Sequence, residues 1–260
     1  LLLSCPEIIV DLPGNKGRTA LHNAVWGKAG GREGKRVGST QQDDSPEIAQ
    51  LLLERGSNIN LKDADGNTAL AIAAASHAER SIPILMAFGA DMDAQNNAGE
   101  TPIDQAAKWG HIEICKLLIE NYTPNLFIKN FLNHDCFETT IINGHFELVM
   151  YLLEKVSKKI EDDDKYFDKI LRLIAKHFSG EQRIKLLSLV VATKKNPPKD
   201  FLSELTMRAL VRLKEEKIIQ LIQDFLRIWA PSSDSSCHDK IHIMIDEAMK
   251  MHWVKCCREL

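Results

Sequence analysis

Residues 63–122 decide the fold, and they read DADGNTALAIAAASHAERSIPILMAFGADMDAQNNAGETPIDQAAKWGHIEICKLLIENY. Within this stretch the segment Gly66-Asn67-Thr68-Ala69-Leu70 returns as Gly99-Glu100-Thr101-Pro102-Ile103, an offset of 33 residues. Gly56 returns as Gly89 at the same offset. A fixed period of roughly 20 to 50 residues indicates structural repeats that stack on one another.

Each recurring residue has a physical role at its place in the repeat. Gly66 and Gly99 stand where the chain turns into a helix, and a positive φ is expected there. Thr68 and Thr101 are predicted to cap that helix with their hydroxyl groups. Pro102 suits the first helical position because its missing N–H loses no hydrogen bond there. A single unit cannot bury its own apolar face, so the units must stack.

The period, the Thr-Pro/Ala-Leu segment and the Gly-Ala-Asp at 89–91 resemble the ankyrin-repeat family. The resemblance implies an all-α solenoid of helix-turn-helix repeats with β-hairpin-like loops. It also implies a non-enzymatic adaptor that binds a protein or peptide, with no small-molecule cofactor. Ankyrin repeats share a frame and vary in what they bind, so the partner stays open.

Residues 1–155 are predicted to be the ankyrin-repeat domain. Residues 1–12 resemble the end of a repeat, which favours a truncated first repeat over a free start with a degenerate cap. The next repeat opens at Gly14 and carries an insertion at 29–44, whose Gly, Ser, Gln and charged residues predict a mobile loop. In the following repeat Pro83 falls in the second helix, which should therefore begin near Ile82.

The last repeat, about 130–155, is degenerate. Its first half has lost the Gly-x-Thr-Pro-Leu frame, and Asn133 is expected to take the place of the glycine because asparagine tolerates left-handed geometry. After Lys155 the period vanishes. Residues 156–260 show apolar residues at spacings of three and four, which predict a C-terminal α-helical bundle or cap of unrecognised family.

The resemblance implies that a partner lies along a concave groove formed by the hairpin tips and the first helix of each repeat. Aligning the repeats places Trp26, Ser76, Trp109 and Asn143 at one position near the end of that helix. Two equivalent tryptophans favour a binding surface, since tryptophan is enriched in binding hot spots; the alternative is that both pack in the core. The predicted partner-binding residues are Trp26, Trp109, Lys108, Val25, Ser76, Asp65, Asn67, Glu100, Lys16 and Arg18.

Polar tips of both signs suit a mixed-charge protein or peptide, whereas a phosphate backbone would require clustered Lys and Arg. His22, His111 and His145 are interpreted as structural, because such histidines in the ankyrin frame bond the loop backbone. No Gly-rich phosphate loop, nucleophile elbow or HExxH pattern occurs in the chain.

The C-terminal helices leave a second function open, in which they hold an enzyme and the repeats recruit its substrate. His238 and His242 are four residues apart, as are His252 and Cys256, but the two pairs are too distant to share one metal ion. No motif marks a Cys–His dyad with Cys237 or Cys136 as nucleophile. We therefore predict no catalytic residue and no metal site.

Composition limits the cellular setting. The net charge of −3 disfavours nucleic-acid binding, including binding through the insertion at 29–44. The six cysteines lack disulfide-framework spacing, and no apolar run approaches the roughly 20 residues of a membrane helix. We predict a cytoplasmic protein without membrane insertion. The long insertion and decayed last repeat are also similar to ankyrin effectors that bacteria inject into host cytosol, with an ordinary cytosolic adaptor as the alternative.

Overall fold

The computed structural model describes residues 9–26 and 44–193. The regular structure in these ranges is a 3-10 turn, Asn15–Gly17, and ten α-helices. The helices are α1 (Ala20–Ala24), α2 (Pro46–Glu54), α3 (Ala69–Ala75), α4 (Ser81–Ala87), α5 (Pro102–Trp109), α6 (Ile112–Tyr122), α7 (Cys136–Ile142), α8 (Phe146–Asp162), α9 (Asp164–His177) and α10 (Gly180–Ala192). The chain divides into two compact units between Val149 and Met150.

The first unit is a stack of helical pairs. Helix α1 packs on α2, α3 on α4, and α5 on α6. The first helices of the pairs form an inner row, in which α3 lies between α1 and α5, and α5 lies between α3 and α7. Ala73, Ala74, Ala106 and Ala107 are fully buried, and their small side chains let neighbouring helices approach closely. The predicted all-α repeat solenoid is therefore confirmed.

The inner helices begin as predicted. Thr68 Oγ1 accepts a hydrogen bond from the N–H of Ala71, and Thr101 Oγ1 accepts one from the N–H of Asp104. The glycine two residues before each cap has a φ of 78° at Gly66 and 75° at Gly99. In the degenerate repeat Asn133 takes the glycine position with a φ of 60°, as predicted. Because the cap and the residue with positive φ lie within a few residues of each helix start, each repeat determines its own turn locally.

Helix α4 begins at Ser81, one residue before the predicted start. Pro83 is its third residue, where a missing N–H removes no bond within the helix. The insertion predicted at 29–44 lies outside the described residues except for Asp44. The mobility predicted for this loop stays a prediction, although Asp44 at its end is buried and accepts hydrogen bonds from the N–H and Oγ of Ser81 at 2.7 and 2.6 Å. The carboxylate thereby satisfies an N–H at the start of α4.

The hairpin loops of successive repeats are tied together by side-chain-to-backbone bonds. Asp11 accepts from the N–H of Asn58, and Asn60 accepts from that of Asp91. Asp93 continues the series one repeat later. A polar residue at the same place in each repeat thus fixes the register of the next loop.

The second unit contains α9 and α10, which pack together. Phe167, Ile170 and Ile174 of α9 are fully buried. Lys159 Nζ lies 4.5 Å above the ring of Tyr166, within cation–π distance. Helix α8 runs without a break past Lys155, so the predicted domain boundary there stays a prediction. The helices predicted beyond residue 193 lie outside the described residues.

Candidate partner-binding groove

Two tryptophans of the first unit are solvent-exposed. Trp26 follows the end of α1 and is 40% exposed, and Trp109 is the last residue of α5 and is 47% exposed. Both line the same depression, although they come from repeats that are not neighbours. The alternative that both indoles pack in the core is therefore wrong.

This depression, called the indole notch below, has a volume of about 230 Å³. Its lining consists of Arg18, Trp26, Asn67, Ala71, Ile72, Ala75, Ser76, Gln105, Trp109 and His111. Helix α3 lies between α1 and α5 and supplies the floor. Ser76 and Trp109 each follow the capping threonine of their helix by eight residues, and Trp26 follows its own by seven, so the predicted equivalence of Trp26 with the other two is off by one residue. A serine is too small to fill the space between two indoles, so the notch stays open.

Arg18 holds the first indole in place. Its guanidinium carbon lies 3.9 Å from the centre of the Trp26 ring, which is a cation–π contact. Its Nε donates to Asp63 Oδ2 at 3.3 Å, and the Asp63 side chain is fully buried. Asp63 Oδ1 accepts from the N–H groups of Asp65 and Asn67 at 3.0 and 2.9 Å. Trp26 is therefore fixed, through Arg18, to the hairpin of the next repeat.

The three histidines interpreted as structural each lie within hydrogen-bond distance of a backbone carbonyl. His22 Nε2 lies 3.1 Å from the oxygen of Leu61, His111 Nε2 lies 3.1 Å from that of Ala75, and His145 Nε2 lies 2.9 Å from that of Lys108. Burial lowers the pKa of His22 and of His111, which favours neutral rings that donate one N–H. The prediction of a structural role is confirmed, and His111 thereby fixes one wall of the notch to α3.

Two predicted binding residues do not reach the groove. Val25 is 0% exposed, so its prediction as a groove contact is wrong and its side chain belongs to the core. Glu100, another of the predicted partner-binding residues, is also buried. Its carboxylate accepts from Gln105 Nε2 at 2.6 Å and from Lys108 Nζ at 2.8 Å. Glu100 therefore acts within the fold, and it holds Lys108 beside the groove.

The other predicted residues lie in two places. Lys16 and Asp65 are exposed at hairpin tips, and Asn67 is half-buried at the notch. Ser76 is buried, and its Oγ donates to the carbonyl of Ile72 at 2.7 Å, so it shapes the notch more than it offers a hydrogen bond. Asn143, at the equivalent position after α7, is exposed and is not part of the notch lining. Their contact with a partner stays a prediction.

The loop before α7 has an apolar tip that was not among the predicted binding residues. Phe131 and Leu132 are 77% and 76% exposed in the loop before α7. Asn130 Oδ1 holds this loop by accepting from the N–H groups of Leu132 and His134, both at 3.0 Å. The signal was available, because an alignment on Asn133 as the glycine equivalent places both apolar residues at the tip.

The described residues give no support to catalysis or metal binding. Cys136 is buried, and burial raises the pKa of its thiol well above the usual range, so it is not an activated nucleophile. The other candidates, Cys237, His238, His242, His252 and Cys256, lie outside the described residues. Within residues 9–26 and 44–193 no cluster of His, Cys, Asp and Glu is arranged to hold a metal ion. In the same ranges no helix has the length and apolar character to cross a membrane.

Comparison with known proteins agrees with this architecture. The family model described as ankyrin repeats (3 copies) matches residues 39–130. Mouse ankyrin repeat domain-containing protein 63 is 30% identical over 114 residues, which are 44% of this chain and 26% of that protein. A putative ankyrin repeat protein of Rickettsia bellii (strain RML369-C) is 31% identical over 113 residues, 43% of this chain and 54% of that protein. The matches thus span about a quarter and about half of these relatives. Taken with the capped inner helices and the 33-residue period, they establish that the chain carries an ankyrin-repeat solenoid.

Proposed function

We propose that the ankyrin solenoid is a protein-interaction module that binds a segment of another protein along the groove of its inner helices. Trp26 and Trp109 are the anchors. One observation carries the proposal: two large aromatic side chains remain about half-exposed on opposite sides of one notch. Exposed tryptophan offers a large contact area with little rotamer entropy to lose, and it is enriched in binding hot spots.

The surroundings of the indoles favour binding. Arg18 lies against Trp26 and is tied to the buried Asp63. His111 bonds the carbonyl of Ala75 in the floor of the notch. Side chains held in one arrangement before binding lose less conformational entropy when a partner arrives. Exposed side chains that are held in this way would be unusual on a surface that contacts only solvent.

The experiment compares Trp26→Ala and Trp109→Ala with the unchanged protein. A partner is captured from candidate cells, identified, purified, and its affinity measured by calorimetry. Each tryptophan variant should weaken binding by about 2 kcal/mol or more. Phe88→Ala is the matched control, because Phe88 is a similarly exposed aromatic residue that is not part of the notch lining. It should leave affinity unchanged.

Thermal unfolding of every variant separates binding from stability. Both tryptophan variants should melt close to the unchanged protein, because each indole is about half in solvent. If they lower the melting temperature and leave affinity intact, the tryptophans serve the fold and the proposal fails.

The finer predictions belong to this proposal. They are a binding domain at 1–155 with a separate helical domain at 156–260, a cytoplasmic location, and action as an effector in host cytosol. A translocation reporter fused to the protein tests the last, and no transfer of intact protein into host cells would remove it. The alternative of an enzyme in the C-terminal helices concerns residues that are mostly outside the described ranges.

A further inference from the structure

We propose that the indole notch receives one large, uncharged apolar side chain of the partner segment, and that an acidic residue next to it pairs with Arg18. This inference rests on the proposed function and specifies the chemistry of the partner. The occupant is thus a protein segment with an apolar anchor and an adjacent carboxylate.

The size of the notch selects a single side chain. Its volume of about 230 Å³ is below the roughly 300–1,000 Å³ of sites that enclose small molecules. A hot-spot residue typically fills a pocket of this kind at the centre of an interface and is shielded there from water. The two indoles stand on either side of such a side chain, and helix α3 lies beneath it.

The lining favours an apolar anchor. Ala71, Ile72 and Ala75 make the floor, between the indoles of Trp26 and Trp109. Three polar side chains of the lining already have partners. Ser76 Oγ bonds the carbonyl of Ile72, Gln105 Nε2 bonds Glu100, and His111 Nε2 lies within hydrogen-bond distance of the carbonyl of Ala75. A polar anchor would lose its water and gain few hydrogen bonds in return, which is costly.

The charge at the edge of the notch argues against a cationic anchor. Two indoles that line one notch would otherwise suit a Lys or Arg side chain through cation–π contact. The guanidinium of Arg18 already occupies that role at Trp26, at 3.9 Å, and it would repel a second cation placed in the notch.

The same guanidinium can donate hydrogen bonds to an acidic residue next to the anchor. It carries five N–H donors, and one of them, Nε–H, donates to Asp63. The fork of Arg is suited to a carboxylate. A carboxylate next to the apolar anchor would therefore gain a charge-assisted hydrogen bond while the indoles hold the anchor itself.

A displayed library of random 12-residue peptides, about three helical turns in length, is selected on the full chain. The selected peptides are then tested for binding to the Ala75→Leu variant. This substitution places a larger side chain at a half-buried position in the floor of the notch. Ala87→Leu is the matched control, since it makes the same change at an exposed position of α4 outside the notch. Circular dichroism checks that both variants fold. The selected peptides should share one large apolar residue beside Asp or Glu.

Synthetic peptides make the test independent of any protein variant. Replacing the anchor by Lys should weaken binding to the unchanged protein by about tenfold or more. Replacing the acidic neighbour by its amide should weaken binding by a smaller factor, which shrinks at high salt. Ala75→Leu should weaken binding of the original peptide by about tenfold or more, and Ala87→Leu should leave it within about twofold.

The outcomes separate this inference from the proposed function. Peptides that lose affinity on Trp26→Ala or Trp109→Ala but tolerate Ala75→Leu, or that select Lys or Arg as anchor, overturn the apolar-anchor inference and leave the groove as a binding site. Peptides that tolerate all three substitutions overturn both, because they bind elsewhere on the chain.

Discussion

A buried carboxyl group in α5 should make the stability of the protein depend on pH. Asp104 is 1% exposed. Its Oδ2 accepts from the N–H and Oγ of Thr101 at 2.9 and 2.8 Å, but its Oδ1 is buried with no hydrogen-bond partner among the described residues. Burial raises the pKa of Asp104 from 3.8 to about 6, against the opposing effect of the Thr101 bonds. The ionised carboxylate is therefore less favourable in the folded chain than in the unfolded chain.

The sign and size follow from linkage. A carboxyl whose pKa is higher in the folded state favours folding at low pH, and this contribution is lost as pH rises from about 4 to about 6. A shift of about two units corresponds to about 3 kcal/mol between the two limits. Measurements at pH values of about 4.5 and 7.5 cover only part of this titration. The free energy of unfolding should therefore change by about 2 kcal/mol between them because of Asp104.

The test is Asp104→Asn, which keeps an oxygen for Thr101 and removes the titration. Urea unfolding gives the free energy of unfolding of both proteins at the two pH values. Costs of the amide that do not depend on pH cancel when the mutational effect at one pH is subtracted from the effect at the other. The substitution should be about 2 kcal/mol more favourable at the higher pH. Parallel pH profiles for the two proteins would show that Asp104 does not titrate in this range, and the reasoning would be refuted.

Two further variants test the frame of the solenoid, beside the binding experiments above. Lys129→Met removes an ammonium that bonds Asp135 and Glu138 at 2.8 and 2.9 Å, and it leaves two fully buried carboxylates without that charge. Urea unfolding should show a loss of about 3–5 kcal/mol, and a loss below about 1 kcal/mol would contradict the burial argument. Gly99→Ala should cost clearly more than Gly56→Ala in the same assay. Both have a positive φ, but a Cβ on Gly99 would lie 2.9 Å from the backbone nitrogen of Phe131, whereas one on Gly56 meets nothing within 4 Å. Equal losses of stability would contradict this expectation, because the loop before α7 would then move to make room for the added methyl group without lowering the free energy of unfolding.

The same Lys129 shows how the buried acids of the last repeat are accommodated. Burial by itself would lower the pKa of Lys129, but its hydrogen bonds to Asp135 and Glu138, and their charges, raise it instead. The ammonium therefore stays charged where its partners need it. Asp104 has no such cation among its hydrogen-bond partners in the described residues, and burial therefore raises its pKa.

The sequence predicts the frame because the frame is determined locally. A capping threonine, a glycine with positive φ and a histidine that reaches a carbonyl each act within a few residues or one period, so a 33-residue offset is sufficient to place them. Asn133 illustrates the reach of this logic, since its backbone follows the glycine rule even though the surrounding repeat has lost its pattern.

The sequence fails where the direction of a single side chain decides the outcome. Val25 and Trp26 are neighbours at the end of α1, and consecutive residues of a helix point about 100° apart. One indole at the surface therefore implies that the residue before it turns elsewhere, and Val25 turns into the core. Glu100 fails for a different reason. Its burial depends on hydrogen bonds from Gln105 and Lys108 of α5. The sequence does not show that these two side chains donate to the same carboxylate.

The binding surface arises where one repeat departs from its neighbours. Three inner helices stack on one another and each begins after a threonine, so the backbone presents the residues seven and eight positions after each threonine in a regular series. Trp26, Ser76 and Trp109 lie seven or eight residues after those caps in three successive repeats, and the small residue in the middle creates the notch. Because Ser76 changes the shape of the surface without altering a cap or a turn, such a site can change while the stack is kept.

Asp104 gives the counter-example. It departs from its neighbours at a buried position, where the first repeat has His22 bonded to a carbonyl, and the result is an oxygen without a hydrogen-bond partner in the described residues. Departures at the surface thus alter what the solenoid can bind, while departures inside alter its stability.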